Sequence, residues 1–241
     1  MSLPKPYYED EARGILIYHA DCREILPLLP KVDLLLTDPP YGVMLGSHAD
    51  AKELRAGVGL KKQAYLSYDD THSNLTSVVV PAVTEALAKC SRGIVFAAGT
   101  MMWDFPRPDA VSCIYIPCGN GRTKWGFQNL AHFMLYGTAP DLHLGASHTA
   151  MYSTEASEKN GHPCPKPLGW IKWLCLLGSR SGETVLDPFM GSGTTLVACK
   201  QLGRRCIGIE LEEKYCEIAA RRLSQGMLFG QDELAQIGGG K

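Results

Sequence analysis

Val32-Asp33-Leu34-Leu35-Leu36-Thr37-Asp38-Pro39-Pro40-Tyr41 is an apolar run closed by a carboxylate, two prolines and an aromatic ring. Its length and near-continuous apolar character read as a parallel strand buried on both faces. Neither proline has an N–H and each fixes φ, so the chain leaves the strand as a stiff turn with free carbonyls. In open α/β sheets that edge is where ligands bind. Asp38 and the Pro39 carbonyl are suited there to accept the two hydrogens of an aromatic amino group, and Tyr41 to stack on the ring that carries it. Taken alone, the same four residues also suit an ordinary strand-to-loop turn, with Asp38 capping and Tyr41 packing.

A second segment bears on that choice. Glu183-Thr184-Val185-Leu186-Asp187-Pro188-Phe189-Met190-Gly191-Ser192-Gly193-Thr194-Thr195 reads as a short strand, a glycine turn and the start of a helix that runs to about residue 202. Glycines let backbone approach a ligand closely, and a helix amino terminus is electropositive. The next strand, Arg205-Cys206-Ile207-Gly208-Ile209-Glu210, ends in an acid placed to accept hydrogen bonds from ribose hydroxyls. A nicotinamide-binding G-x-G-x-x-G lacks its third glycine here, with Leu196 in that place, and no Gly-Lys-Ser/Thr marks a P-loop.

Together these segments resemble the amino-methyltransferases of DNA that use S-adenosylmethionine, with D-P-P-Y as catalytic motif and F-x-G-x-G as cofactor motif. Catalytic motif first and cofactor motif last is the order of the beta group. His162-Pro163-Cys164-Pro165-Lys166-Pro167-Leu168 is similar to that group's H-P-x-x-K-P-x segment. The resemblance implies a catalytic set Asp38, Pro39, Pro40 and Tyr41. It implies a cofactor set of Asp21, Cys22, Asp187, Pro188, Phe189, Gly191, Ser192, Gly193, Thr194 and Glu210, with Glu210 on the ribose and Asp21 on the cofactor's adenine amino group. Asp21 followed by Glu24 also forms a capping box for a helix. His162 and Lys166 are expected near the cofactor's carboxylate. Asp in the first motif position leans toward adenine as target; the alternatives are the amino group of cytosine and, from another class, a DNA-binding protein that keeps the fold without catalysis.

With 241 residues, 45% of them hydrophobic, the chain suits one α/β domain, a doubly wound, mostly parallel, Rossmann-like sheet. The pattern predicts seven strands (14–18, 32–37, 93–98, 111–116, 130–136, 183–187, 205–209) and helices over 22–29, 73–90, 100–104, 168–178, 193–202 and 212–224. The helix-free stretch 111–136 predicts a hairpin, hence one antiparallel strand. No run of 18 apolar residues and no leader is visible, and the nine cysteines include no C-x-x-C pair; these features suggest reduced thiols in a cytoplasm. No metal is expected, since the spacing of His143, His148, His162 and Cys164 matches no ligand pattern.

A net charge of -1 gives no global attraction for a polyanion, so binding of double-stranded DNA must rest on local patches. Lys52, Arg55, Lys61 and Lys62 in the 42–70 loop, and Arg122 and Lys124 near Trp125, are the candidate DNA contacts. Residues 138–161 are expected to read the target sequence; so short a segment suggests a small target, a homodimer, or help from the 42–70 loop. Gln225-Gly226-Met227-Leu228-Phe229 resembles the Q-x-x-L-F motif that docks on a bacterial sliding clamp, and equally suits pinning a last helix to its own core. The glycine-rich end of the 225–241 tail predicts disorder.

Overall fold

In the computed structural model, residues 2–42, 69–117, 121–123, 126–140, 150–158, 160–162 and 164–225 are described, with backbone only for those of 121–128. Lys52, Arg55, Lys61, Lys62, Lys124 and the Leu228-Phe229 pair lie outside them, as do most of 42–70 and part of 138–161. Arg122 lies in a strand whose side chains are outside the description.

The strands are β1 (Tyr8–Asp10), β2 (Ile15–His19), β3 (Val32–Thr37), β4 (Cys90–Phe96), β5 (Ala110–Tyr115), β6 (Gly121–Thr123), β7 (Gly126–Gln128), β8 (Leu130–Tyr136), β9 (Met151–Tyr152), β10 (Thr184–Asp187) and β11 (Arg205–Glu210). Nine of them form one sheet in the order β1-β2-β11-β10-β3-β4-β8-β5-β9, and β6 pairs with β7 separately. The seven expected strands form its continuous middle, with β8 antiparallel to both neighbours. The sequence reading missed two short edge strands, antiparallel β1 and parallel β9. Three and two residues are too few to show a period of two.

Burial alternates along the strands and sorts the core into two faces. Leu34 and Leu36 of β3 join Ile15, Ile17, Ile94 and Phe96 under α4 (Leu168–Gly178), α5 (Thr194–Leu202) and α6 (Glu213–Ser224). Leu35 points the other way, with Val95 and Leu186, against α1 (Cys22–Ile25), the turn after it and α3 (Val80–Lys89). The helix expected over 22–29 breaks because Pro27 sits in the second turn, which tightens to a 3-10 segment, Leu26–Leu28. The helix expected over 73–90 runs as α2 (His72–Asn74), a π-helical stretch Leu75–Val79, and α3. Pro81, which has no N–H to donate, follows directly on the π-helical stretch, where the regular hydrogen-bond ladder is already interrupted.

The sheet order places the site. From β10 the chain crosses through α5 to β11 on one side, while from β3 it crosses through the α2–α3 segment to β4 on the other. The crevice at the carboxyl ends of β10 and β3 is therefore the topological switch point, the place where ligands bind in such sheets.

Candidate active site

Asp187 ends β10 and Asp38 follows β3, so the two motifs meet across that crevice although they lie far apart in sequence. The buried Thr37 hydroxyl donates to Asp187 Oδ1 at 2.7 Å, and the Phe189 N–H donates to the same oxygen at 3.2 Å. Burial pushes the Asp187 carboxyl up to about 6, against the lowering effect of hydrogen bonds from Thr195, Thr37 and Phe189. Beyond it the chain makes the glycine turn. Gly191 has φ 51°, and a Cβ on it would lie 2.9 Å from His162 Nε2, so the histidine ring lies directly over the turn. Gly193 has φ 76°, and a Cβ there would lie 2.6 Å from Ala219 Cβ in α6. Only glycine satisfies both the left-handed backbone and the close approach of α6.

A cavity of about 340 Å³ opens over these strand ends. All four expected catalytic residues line it, as do Asp21, Cys22, His162, Lys166, Asp187, Pro188, Phe189, Gly191, Ser192, Thr194 and Glu210. Gly193 does not; it shapes the turn from behind. At the far end Glu210 accepts from the Gly191 N–H at 2.9 Å and the Glu212 N–H at 2.8 Å. Burial raises its pKa, and these N–H donors partly offset that. Asp21 caps α1, but its partner is Arg23, with N–H and guanidinium contacts of 2.5–3.1 Å, rather than Glu24 as in a capping box. That side-chain hydrogen bond holds the Asp21 carboxyl below its usual range. The Cys22 thiol, pushed up to about 12 by burial, is an apolar wall group.

His162, Cys164, Pro165 and Lys166 line the cavity, and the side chains of His162 and Lys166 divide between the two motifs. His162 packs edge-on to Tyr215 with ring centroids 4.7 Å apart, and burial lowers its pKa to about 4, so the ring over the glycine turn is neutral at pH 7. Lys166 goes to the other motif. Its Nζ donates to Asp38 Oδ2 at 2.5 Å and to Tyr41 Oη at 3.0 Å, while Tyr41 Oη donates to Asp38 Oδ1 at 2.5 Å. The ammonium also sits 5.2 Å from the Tyr41 ring centre and 5.1 Å from that of Phe96. Lys166, Asp38 and Tyr41 thus form a three-membered network within the cavity. Each oxygen of Asp38 retains a further lone pair for an incoming N–H.

Several residues of the site gave no signal in the sequence. Arg222 of α6 donates to the Ser192 carbonyl at 2.6 Å and to Thr194 Oγ1 at 3.2 Å, and it pairs with Glu158 at 2.7 Å. Asn160 Nδ2 donates to Ser192 Oγ at 2.9 Å. The glycine turn is thus held from outside by two side chains. Asp70, which also lines the cavity, accepts from the Gly42 N–H at 2.7 Å and anchors the chain as it leaves Tyr41. Next to it, Thr71 caps the following helix by accepting from the Asn74 N–H.

A glycine turn on a switch-point crevice, joined in one cavity to an acid-proline-proline-aromatic turn, defines an α/β enzyme that brings a nucleotide-like cofactor to an amino-bearing ring. The chain belongs to the N6/N4 DNA methylase family, whose model matches residues 100–221. It is 27% identical over 258 residues to the Type II methyltransferase M2.LlaDCHI of Lactococcus lactis subsp. cremoris, with 95% of each chain covered. It is 24% identical to M2.DpnII of Streptococcus pneumoniae over 92% of this chain and 93% of that protein. A 51-residue stretch, 21% of this chain and 18% of its counterpart, is 59% identical to M.SmaI of Serratia marcescens. Among solved structures, the M1.HpyAVI–SAM complex superposes with a TM-score of 0.62 at 22% identity, covering 87% of this chain and 98% of that one. The PvuII cytosine-N4-specific DNA methyltransferase does so at 0.61 and 14%, covering 97% and 93%.

The family's cofactor is S-adenosylmethionine, and the residues present fit it. Asp21 and Glu210 supply acceptors at one end, the His162-covered glycine turn supplies a close backbone approach, and Asp187 supplies a carboxylate beside it. Among the described residues no cluster of three His, Cys, Asp or Glu side chains is placed to hold a metal, and no helix is long and apolar enough to cross a membrane.

Proposed function

We propose that this DNA methyltransferase acts on the N6 amino group of adenine, extruded from the duplex into the cavity beside Tyr41. The observation that carries the reading is Asp38 at the end of β3, its carboxylate oriented by Tyr41 and Lys166 and continuous in one cavity with the glycine turn. Bound S-adenosylmethionine supplies an electrophilic methyl group. Asp38 accepts one amino hydrogen and the Pro39 carbonyl the other, which draws the nitrogen lone pair out of the ring and stabilises the positive charge that grows on it. Asp38 then takes the proton that the methylated nitrogen sheds. Tyr41 stacks on the base and holds the nitrogen in line with the methyl group.

Residues 138–161 and the 42–70 loop are assigned to target reading and phosphate contact on position alone. Relatives named as Type II methyltransferases support a role beside a restriction enzyme. Digesting DNA from cells expressing the chain, and identifying the modified nucleoside by mass, tests the proposal. N6-methyladenine supports it, and N4-methylcytosine would overturn the choice of base. Asp38→Ala should abolish transfer and leave cofactor affinity largely intact; normal turnover would overturn the mechanism.

A further inference from the structure

Among the described residues, Trp103 is the most exposed of the large hydrophobic side chains, at 86%. It sits in the 3-10 turn Met102–Asp104 that follows β4, and that turn is rigidly tied. Met101 N–H donates to Ala98 O, Phe105 N–H to Met102 O, and Phe105 is buried. Asp104 Oδ2 meets His72 Nε2 at 3.0 Å, and the His72 backbone packs on Gly42, where a Cβ would lie 3.2 Å from His72 Cα. One hydrogen bond and one close contact therefore connect the turn of Trp103 to the residue after Tyr41. The turn that carries Trp103 is thus two contacts from the end of the Asp38–Tyr41 motif, and nothing of the described chain covers most of the indole.

Two further exposed rings follow along the same edge. Register puts Asp38 level with Phe96, Phe133 and Ser112, so Tyr115 lies three residues beyond that level on β5. This is roughly 10 Å outward and, three strands over, roughly 14 Å across from Asp38. Tyr115 is 44% exposed and Tyr152, its partner on β9, 64%, with ring centroids 6.0 Å apart. The cofactor residues occupy the other half of the edge, on β10 and β11. Tyr7, the other large aromatic ring exposed among the described residues, belongs to that half and lies edge-on to His19.

Extruding a nucleotide from a duplex bares the faces of the bases on either side of the gap, and an exposed indole on a turn tied to the segment that leaves the pocket is suited to cover one of them. We propose that Trp103 stacks on the base left bare when the target leaves the helix, and that Tyr115 and Tyr152 carry the flanking DNA, about five base steps away at roughly 3.4 Å per step. The inference rests on the reading of the chain as a base-extruding DNA methyltransferase and assigns its DNA-facing surface to the β4–β9 half of the edge.

The test uses the full chain and an oligonucleotide duplex carrying the methylated site found by sequencing, alongside the same duplex with an abasic gap at the target. Trp103→Ala should weaken duplex binding roughly 5- to 100-fold and abolish the extra affinity for the gapped duplex. Trp103→Phe should restore most of both. Cofactor affinity and the urea midpoint should match wild type, because so exposed a side chain contributes little to packing. Tyr7→Ala, on the other half of the edge, should bind DNA as wild type does. If Trp103→Ala binds both duplexes within twofold of wild type while wild type methylates DNA, this inference fails and the catalytic reading stands. If wild type leaves no methylated base in DNA, both fail. If Trp103→Ala instead splits a dimer in sedimentation and its DNA affinity falls only with dissociation, the ring is an interface between copies and the proposal is overturned.

Discussion

Lys166→Met removes the ammonium from the network around Asp38 and Tyr41, the proposed catalytic pair, while keeping an unbranched stem of similar length. What is lost is a 2.5 Å hydrogen bond to Asp38 Oδ2 and a 3.0 Å one to Tyr41 Oη. The side chains of the ion pair are only 16% and 28% exposed, so solvent replaces the contact incompletely. A hydrogen bond to a charged partner is worth about 1.5–3 kcal/mol, less where water competes. If about half of that range is lost from the orientation of Asp38 in the transition state, at 1.36 kcal/mol per decade the transfer step slows about 4- to 13-fold. The measurement is single-turnover methyl transfer at saturating cofactor and DNA, with cofactor affinity by calorimetry. The expected result is a slower chemical step with cofactor affinity within about twofold of wild type. Lys166→Arg should recover part of the rate, since it keeps the charge but presents a planar fork where a compact donor fits. A variant with the wild-type single-turnover rate and weakened cofactor binding would refute this reasoning and return Lys166 to the cofactor's carboxylate.

The other predictions concern the glycine turn and its surroundings. Gly193→Ala combines a left-handed backbone with a Cβ 2.6 Å from Ala219 Cβ, whereas Gly182→Ala has φ 81° with nothing within 4 Å. In urea titrations Gly182→Ala should cost about 1–2 kcal/mol and Gly193→Ala about 2–5 kcal/mol; equal losses would show that α6 yields. Arg222→Ala should weaken cofactor binding several-fold by freeing the Ser192 carbonyl and Thr194, and Glu158→Ala, which removes only the outer partner, should do so less. Asp187 has a folded pKa of about 6 against 3.8, so the folded state binds the proton more tightly. Its favourable contribution is complete below about pH 4 and is lost as pH rises through 6, amounting to about 3 kcal/mol. Wild-type stability relative to Asp187→Asn should therefore fall between pH 4 and pH 7, and a flat difference would show that the three hydrogen bonds offset burial in full.

Legibility in the sequence followed the length over which a pattern persists. Strand β3 with Asp38-Pro39-Pro40-Tyr41, and β10 with the turn at Gly191, carry their signals within single continuous stretches, so the crevice, its two motifs and the nucleotide-like half of the site could be read directly. Direction inside the site could not. His162 and Lys166 sit four residues apart in one proline-rich segment, yet the first turns toward Gly191 and the second toward Asp38. Spacing in an irregular segment carries no face, unlike a helix or a strand. Arg222 and Asn160 were illegible for a related reason. On the linear chain Arg222 is one of two adjacent arginines near the end of an amphipathic helix, and only the packing of α6 against Gly193 brings its guanidinium to the Ser192 carbonyl. The same close packing links the two consequences of that contact. Because α6 approaches to within a Cβ's reach of Gly193, the backbone of the turn can be held by a side chain from the helix above it, and a substitution at Gly193 should weaken the Arg222 clamp as well as strain the turn. Gly193→Ala combined with Arg222→Ala should consequently lose less cofactor affinity than the sum of the two single changes, by about 0.5 kcal/mol or more. Strict additivity in calorimetric titrations would separate the turn from the clamp and leave Arg222 a role in fixing α6 alone.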